Sequence, residues 1–163
     1  AVCDQELTRH PDLFMVRVLR ADLRLKLGDL EGARADLALC QQQDPEGGGV
    51  LALLGSVRLV ERRYPEAERV FDQLLARQES ARTRLGRAMA RLGQQKFQGV
   101  IEDATAGMRT GGPAVVEGLL LRGNGHQGLG QFELARRDYE AALRQGNARQ
   151  QARAQRALSQ LPR

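Results

Sequence analysis

The sequence has few of the residues that carry chemistry or build an aromatic core. Among its 163 residues there is no tryptophan, and there are only two tyrosines and four phenylalanines. No apolar run approaches the roughly 18 residues that a membrane span needs. We therefore expect no direct insertion into a membrane. The first ten residues are too polar for a signal peptide. A signal peptide that has already been removed stays open as an alternative.

Histidine and cysteine occur twice each, as His10, His126, Cys3 and Cys40. No pair of them has the spacing of metal ligands, so we expect no metal site. We predict that His126 is half-buried and structural, and that His10 lies at a turn before a proline. Both cysteines fall on apolar faces of predicted helices, which favours buried free thiols over a disulfide.

Other candidate motifs for chemistry are also incomplete. Glu102 and Asp103 are adjacent, so on a helix they point about 100° apart and are expected on the solvated surface. The glycines at 47–49 lack the Lys-Ser/Thr of a phosphate loop. Those in 123–130 follow no predicted strand, as a dinucleotide site would require. We expect no cofactor and no catalytic site.

The positive charge is concentrated at one end of the sequence. The formal net charge is +5, and the last acidic residue is Glu140. The arginines beyond it are Arg144, Arg149, Arg153, Arg156 and Arg163. These five arginines account for the whole net charge of +5, so positive and negative residues are equal in number in the rest of the chain.

A unit of about 34 residues recurs along the chain. One series of small residues, with steps of 34, 31 and 37, comprises Ala21, Gly55, Gly86 and Gly123. Two further series share steps of 34, 33 and 35; they comprise Ala33, Ala67, Val100 and Ala135, and Leu37, Phe71, Ala104 and Tyr139. The uneven first series predicts that the third copy begins early and regains its length in a longer turn, GQQKF.

Each copy predicts two helices. VRVLRADLRLKL has apolar residues at helical spacing and ends at Gly28, a helix stop signal. LEGARADLALC follows the turn and ends near Pro45. Alanine or glycine lets the two helices approach closely, and the large residue four positions later fills the adjacent space.

These motifs resemble the tetratricopeptide repeat (TPR), a 34-residue helix–turn–helix unit with the pattern W-x2-L-G-x2-Y, then A-x3-F, then P. The first part appears as Arg20-Ala21, Leu54-Gly55, Leu85-Gly86 and Arg122-Gly123. The second appears as Ala33-x3-Leu37, Ala67-x3-Phe71, Val100-x3-Ala104 and Ala135-x3-Tyr139. The tryptophan is missing throughout, and Arg24, Arg58, Met89 and His126 replace the first-helix tyrosine.

The resemblance implies an all-α, right-handed superhelical solenoid of about four full repeats. We assign one array over 1–163: 1–11 as the end of a preceding repeat, repeats at 12–45, 46–79, 80–113 and 114–147, and 148–163 as a capping helix or a partial fifth repeat. We therefore interpret the chain as a piece of a longer array. Exposed repeat ends also allow homo-oligomers.

The resemblance further implies a non-catalytic scaffold that binds a segment of another protein in a groove lined by the first helices. The groove residues would be Val18, Asp22, Leu25, Ala52, Ser56, Leu59, Thr83, Arg87, Arg91, Leu120, Asn124 and Gln127. Arg87 and Arg91 have no acid on their own helix, so either an acidic partner binds them or Asp72, Glu102 or Asp103 neutralises them. Asp22 argues against the family's clamp for terminal carboxylates, since like charges repel.

Two alternatives stay open. Long bacterial arrays of this family occur in periplasmic subunits that export exopolysaccharides, so the periplasm and the cytoplasm of a bacterium are both open. Helical repeats of this length also include RNA readers. Asp22, Ser56, Arg87 and Asn124 share no pattern that could read bases, so we expect no nucleic-acid partner.

Overall fold

The computed structural model describes residues 2–9 and 13–162, which form ten helices and no strand. The helices are α1 (Val2–Arg9), α2 (Phe14–Leu27), α3 (Leu30–Gln43), α4 (Gly48–Val60), α5 (Tyr64–Arg77), α6 (Ala81–Gly93), α7 (Phe97–Met108), α8 (Ala114–Gly128), α9 (Phe132–Gln145) and α10 (Ala148–Ser159). The predicted all-helical class is confirmed. His10 and Pro11 lie outside the described residues.

The helices from α2 to α9 form four consecutive pairs, as the sequence pattern predicts. The first helices of the pairs are α2, α4, α6 and α8, and the second helices are α3, α5, α7 and α9. The repeat boundaries assigned above remain predictions; each internal one falls between two helices. Residues 1–70 and 71–163 form two compact units.

Local signals in the sequence account for several helix ends. Gly28 ends α2 in the left-handed conformation, and its backbone N–H donates to Arg24 and Leu25 carbonyls. The Asp29 side chain then caps α3 by accepting a 2.8 Å hydrogen bond from the Gly32 N–H. Asn147 and Gln150 form a reciprocal capping box at the start of α10.

The turn between the two helices has two residues in the first pair and three residues in each of the other three pairs. A residue with positive φ lies two positions before each second helix: Gly28 (87°), Arg62 (59°), Gln95 (59°) and Gly130 (73°). Their spacing is 34, 33 and 35 residues. The prediction of a longer third turn is therefore wrong. Helix α6 runs to Gly93, and Gln95 takes the position that Gly28 and Gly130 occupy.

The uneven small-residue series is wrong for the same reason. A Cβ placed on Gly123 would lie 2.5 Å from the Tyr139 ring in its own pair, whereas one on Gly86 would lie 2.7 Å from Phe71 of the preceding pair. Gly86 and Gly123 thus meet different neighbours. Ala88, which is fully buried against Val100 and Ala104, is the third member of the series and restores steps of 34, 33 and 35.

Each unit has its own apolar packing. In residues 1–70, Ala21 of α2, Leu37 and Cys40 of α3 and Val50 of α4 belong to one buried cluster. In residues 71–163, one cluster joins α6, α7 and α8, and another joins α8, α9 and α10. Within the described part of the chain, no helix combines the length and apolarity that a membrane crossing requires.

Candidate functional site

Two concavities lie on the first-helix side of residues 71–163. The one between α6 and α8 has a volume of about 480 Å³ and is lined by Ala81, Arg82, Leu85, Met89, Thr110, Gly111, Pro113, Ala114 and Glu117. Most of these side chains are apolar or small. Leu85 is buried, and the Met89 side chain is exposed. The two charged residues of the lining are Arg82 and Glu117.

The second concavity, between α8 and α10, has a volume of about 380 Å³. Its lining residues are Leu120, Asn124, Arg149, Ala152, Arg153, Arg156, Ala157 and Gln160. Arg153 donates two hydrogen bonds, of 2.8 and 3.0 Å, to the Glu117 carboxylate. Within the described residues, neither Arg149 nor Arg156 has an acidic partner. This surface is therefore positively charged.

Arg87 and Arg91 are not left available for an acidic partner. Arg87 donates through Nε (2.8 Å) and Nη2 (2.6 Å) to the Asp103 carboxylate and through Nη1 (2.6 Å) to Asp72. Arg91 Nη1 lies 2.9 Å from Asp103 Oδ2. The sequence left two alternatives for these arginines, an acidic partner or acids of the second helices. The structure shows the second, with Asp72 and Asp103 as the acids.

Asp103 itself corrects a prediction. The sequence predicts Asp103 on the solvated surface, but its side chain is 1% exposed, whereas the adjacent Glu102 is exposed. Arg84 adds a third guanidinium through a 3.1 Å hydrogen bond. A buried carboxylate requires such partners, since an unpaired buried charge is strongly unfavourable.

The Arg–Asp contact recurs in three of the four helix pairs. Arg20 with Asp36, Arg87 with Asp103 and Arg122 with Asp138 are each 16 residues apart. In every pair Nε donates to one carboxylate oxygen at 2.8–2.9 Å and Nη2 donates to the other at 2.6 Å. This is the bidentate geometry that arginine favours. In the second pair the corresponding positions hold Leu54 and Val70.

A second basic residue follows each of these positions by four. The set is Arg24, Arg58, Arg91 and His126, so Arg91, and not Met89, replaces the first-helix tyrosine of the repeat pattern. Arg24 and Arg91 each contact the buried aspartate of the following helix. Arg24 Nη1 lies 2.8 Å from Asp36 Oδ2, and Arg91 Nη1 lies 2.9 Å from Asp103 Oδ2. His126 Nε2 lies 3.9 Å from Asp138. The sequence already contained this regularity, but the misaligned third repeat concealed it.

Two predicted groove residues of α8 hold a buried tyrosine. The Tyr139 hydroxyl lies 2.7 Å from Asn124 Oδ1 and 2.8 Å from Gln127 Oε1. Burial, with a smaller contribution from the charge of Asp138, raises the pKa of Tyr139 far above its ordinary value. Asn124 and Gln127 therefore have a structural partner, although Asn124 also lines the α8–α10 concavity.

The predicted groove residues of unit 1–70 divide between packing and surface. Val18 and Leu25 pack against the buried cluster of α2, α3 and α4. The Ser56 hydroxyl donates to the Ala52 carbonyl, and Lys26 Nζ lies 2.5 Å from the Asp22 carboxylate. Leu59, like Thr83 in the other unit, is half-buried.

Sequence reasoning missed an apolar stripe on α2. Met15, Leu19, Leu23 and Leu27 follow each other at intervals of four and are 63%, 55%, 50% and 84% exposed. That spacing places them along one helix face. Three apolar residues of the predicted groove, Val18 and Leu25 on α2 and Leu59 on α4, are less accessible than this stripe.

The remaining predictions concern reactive groups. Both cysteines are free; Cys40 is fully buried, as predicted, and Cys3 is half-buried. Burial raises the pKa of the Cys40 thiol. His126 is half-buried, as predicted, and its Nδ1 lies 2.6 Å from Gln131 Oε1. Among the described residues, no three His, Cys, Asp or Glu side chains are grouped as a metal site would require.

Comparison with known proteins supports the repeat assignment. The tetratricopeptide repeat family model matches residues 53–99, which extend from α4 to the start of α7. A tetratricopeptide repeat protein from Parabacteroides merdae has a similar structure, with a TM-score of 0.58 and 19% identity over 96% of this chain and 74% of that one. No curated protein matches the sequence. The resemblance to the tetratricopeptide repeat family is confirmed, and the similar structure confirms the helical-repeat fold.

Proposed function

We propose that this chain is a non-catalytic scaffold that binds a segment of a partner protein on the face built by its first helices. Tetratricopeptide repeats generally mediate protein–protein interaction. The observation that supports a site is the concavity of about 480 Å³ between α6 and α8. Its apolar lining and exposed Met89 suit an apolar side chain of the partner, because methionine adapts its shape to different ligands.

The chemistry of the proposed partner follows from this lining. The arginines that had suggested an acidic partner are held by Asp103, so charge is not the main attraction at the third repeat. An extended or helical segment with one large apolar residue fits the concavity better. The same neutralisation weakens the RNA alternative at the third repeat, because nucleic-acid binding requires unpaired cations that release counterions.

The bacterial export hypothesis concerns the parent pathway and is independent of this surface. Repeat-level resemblance identifies no partner. A flanking signal peptide together with an outer-membrane barrel domain would support the exopolysaccharide alternative, and a flanking cytosolic domain would argue against it.

The proposal can be tested without knowing the native partner. A displayed random-peptide library is selected against the wild-type protein, Met89→Glu and Leu134→Glu. Leu134 is 43% exposed on α9 and lines neither concavity, so its variant is the matched control. We expect apolar peptides that are enriched on the wild type and Leu134→Glu and lost on Met89→Glu. Equal enrichment on all three proteins would contradict the site.

A further inference from the structure

The second basic residue of the first helix is permanently charged in three helix pairs and titratable in the fourth. The position is held in turn by Arg24, Arg58, Arg91 and His126. Arginine keeps its charge throughout the pH range in which proteins are folded, whereas histidine ordinarily changes charge between about pH 5 and 8. The fourth pair therefore differs from the others in how its charge responds to pH.

The arginines at this position bind acids of the following turn and helix. In the first pair, Arg24 Nη1 lies 2.8 Å from the buried Asp36, and Arg24 Nε lies 3.6 Å from Asp29, which directly precedes α3. In the third pair, Arg91 Nη1 lies 2.9 Å from the buried Asp103. A positive charge at this position is thus used to hold the buried aspartate in both pairs.

His126 makes the same two contacts in the fourth pair. Its Nδ1 lies 2.6 Å from Oε1 of Gln131, which directly precedes α9 as Asp29 precedes α3. Its Nε2 lies 3.9 Å from Asp138 Oδ2. The side chains of His126 and Asp138 are 13% and 8% exposed, so salt and water screen this contact less than they would screen one on the surface.

The contact with Gln131 determines which nitrogen takes up a proton. An amide oxygen only accepts hydrogen bonds, so Nδ1 of His126 carries the hydrogen and donates it. Nε2 of the neutral ring is then an acceptor, and it faces a carboxylate that also only accepts. Protonation of Nε2 replaces this contact of two acceptors by an attraction between opposite charges.

We propose that His126 makes the α8–α9 pair a pH-sensitive device, in which acidification adds a second cation to the buried Asp138. At high pH, Asp138 keeps the hydrogen bonds of 2.8 and 2.6 Å that Arg122 donates, so the pair stays formed. At low pH the imidazolium takes the role that Arg24 and Arg91 have permanently. The added stabilisation belongs to the protonated form, so it is present at low pH and lost as the pH rises.

The charged groups of α8 and α9 near the imidazole allow this second cation. Arg122 lies one turn before His126 and is itself bound to Asp138. In the first pair the corresponding arginines, Arg20 and Arg24, both donate to a single aspartate. Two cations on one buried carboxylate are therefore an arrangement that this fold already contains.

The other helices that pack against α8 bring no competing charge to this position among their described contacts. The α7 residues that reach the last turns of α8 include Phe97 and Ile101, which are uncharged. Arg82 of α6 and Arg153 of α10 lie instead at the first turn of α8, where Glu117 is located. The hydroxyl of Tyr139 on α9 stays neutral in this range, because burial raises its pKa far above the ordinary value.

The test compares the wild type with His126→Gln, which is never charged, and His126→Arg, which is always charged. Hydrogen exchange of residues 132–145 is measured by mass spectrometry at pH 5.5 and pH 8, and proteins are compared at the same pH so that the intrinsic pH dependence of exchange cancels. At pH 5.5 we expect the wild type to exchange about threefold or more slowly than His126→Gln and to resemble His126→Arg. At pH 8 the wild type should resemble His126→Gln within about 1.5-fold.

The first helix pair is the internal control, because Arg24 is charged at both pH values. Exchange of residues 30–43 should be the same in the three proteins. A second control removes the acid by combining Arg122→Leu with Asp138→Val, the residues that the second pair has at these positions. In that background His126→Gln should have the same effect at both pH values.

Three results would overturn the proposal. The ratio between the wild type and His126→Gln would be equal at pH 5.5 and pH 8 if His126 had a merely structural role. A ratio that decreased on acidification would show that protonation opposes the pairing. A pH dependence that persisted without Asp138 would assign the titration to another contact. None of these results bears on the α6–α8 concavity, so the proposed binding function is tested separately.

Discussion

At the scale of single residues, the most informative positions are the buried aspartates of the second helices. They explain why arginine is tolerated at sites where the repeat pattern has leucine and tyrosine. Each aspartate is nearly inaccessible to solvent and accepts hydrogen bonds from arginine of the first helix. The pairs therefore contribute mainly by avoiding an unpaired buried charge.

Asp103→Asn should strongly destabilise the protein, whereas Glu102→Gln should not. The first change leaves three arginine side chains, which are 14–25% exposed, without their common carboxylate. We expect a loss of about 3 kcal/mol, the low end for breaking a buried pair. The adjacent Glu102 is exposed, so its change should cost less than about 0.5 kcal/mol. Urea unfolding measures both; equal effects would place Asp103 on the surface.

At the scale of helices and turns, small residues decide how closely two helices approach. Gly123 lies against Tyr139, and Ala135 of the second helix is fully buried in the same cluster. The turn that joins them requires one left-handed residue. The left-handed turn residue recurs in all four pairs, whereas the third pair has Val100 in place of the alanine of the other second helices.

Gly123→Ala should destabilise the α8–α9 pair although alanine favours helices. The propensity gain is about 1 kcal/mol. The added Cβ would lie 2.5 Å from the ring of fully buried Tyr139, and such overpacking costs about 1–3 kcal/mol. Gly48→Ala, with no atom within 4 Å of the new Cβ, is the control and should stabilise slightly. A stabilised Gly123→Ala protein would contradict the close approach.

The turn residues should respond with opposite signs. Gly130→Ala places a Cβ at φ 73° and should cost about 1 kcal/mol. Gln95→Gly relieves strain at φ 59° and should stabilise by up to about 1 kcal/mol, less the entropy lost by glycine. Thermal unfolding monitored by circular dichroism measures both. Changes of the same sign would argue against one shared turn.

At the scale of the whole chain, the sequence predicts the fold well and the site less well. Helix content, pairing and turn positions follow from periodicity and from signals such as Gly28. The alignment of the third repeat failed because Leu85-Gly86 is the same dipeptide as Leu54-Gly55 and was matched to it. In the structure Gly86 instead approaches Phe71 of the preceding pair. A dipeptide does not show which neighbour it faces.

The misassigned register also explains the errors at the candidate site. It placed Arg87 and Arg91 at groove positions, whereas the corrected steps align them with Arg20 and Arg24, which hold Asp36. Applying the steps of 34, 33 and 35 residues that the other two series share would have revealed this alignment. The concavities could not be predicted in the same way, since their size depends on side-chain packing.

The third helix pair should exchange its amide hydrogens fastest. Ala104 stands where the other pairs have Leu37, Phe71 and Tyr139, so less apolar area is buried there. Gly99 and Gly107 lower the helix propensity of α7 by about 1 kcal/mol each. Hydrogen exchange followed by mass spectrometry should show the least protection at residues 94–110. Uniform protection along the chain would contradict this expectation.

The central claim is that arginines of the first helices hold the two helices of a pair together by binding a buried aspartate of the second helix. A double-mutant cycle on Arg122 and Asp138 tests this claim most directly. The second pair supplies the replacements, since Leu54 and Val70 occupy the corresponding positions. Asp138 is 8% exposed and has Arg122 as its bidentate partner. Arg122→Leu alone should therefore cost about 3 kcal/mol or more.

Combining Arg122→Leu with Asp138→Val should restore stability to within about 1 kcal/mol of the wild type, because a well-packed apolar pair can replace a buried ion pair. The measurement is the free energy of unfolding of the four proteins in urea. The account predicts a coupling of at least about 2 kcal/mol between the two sites. Single effects that simply add, with a coupling below about 0.5 kcal/mol, would contradict it.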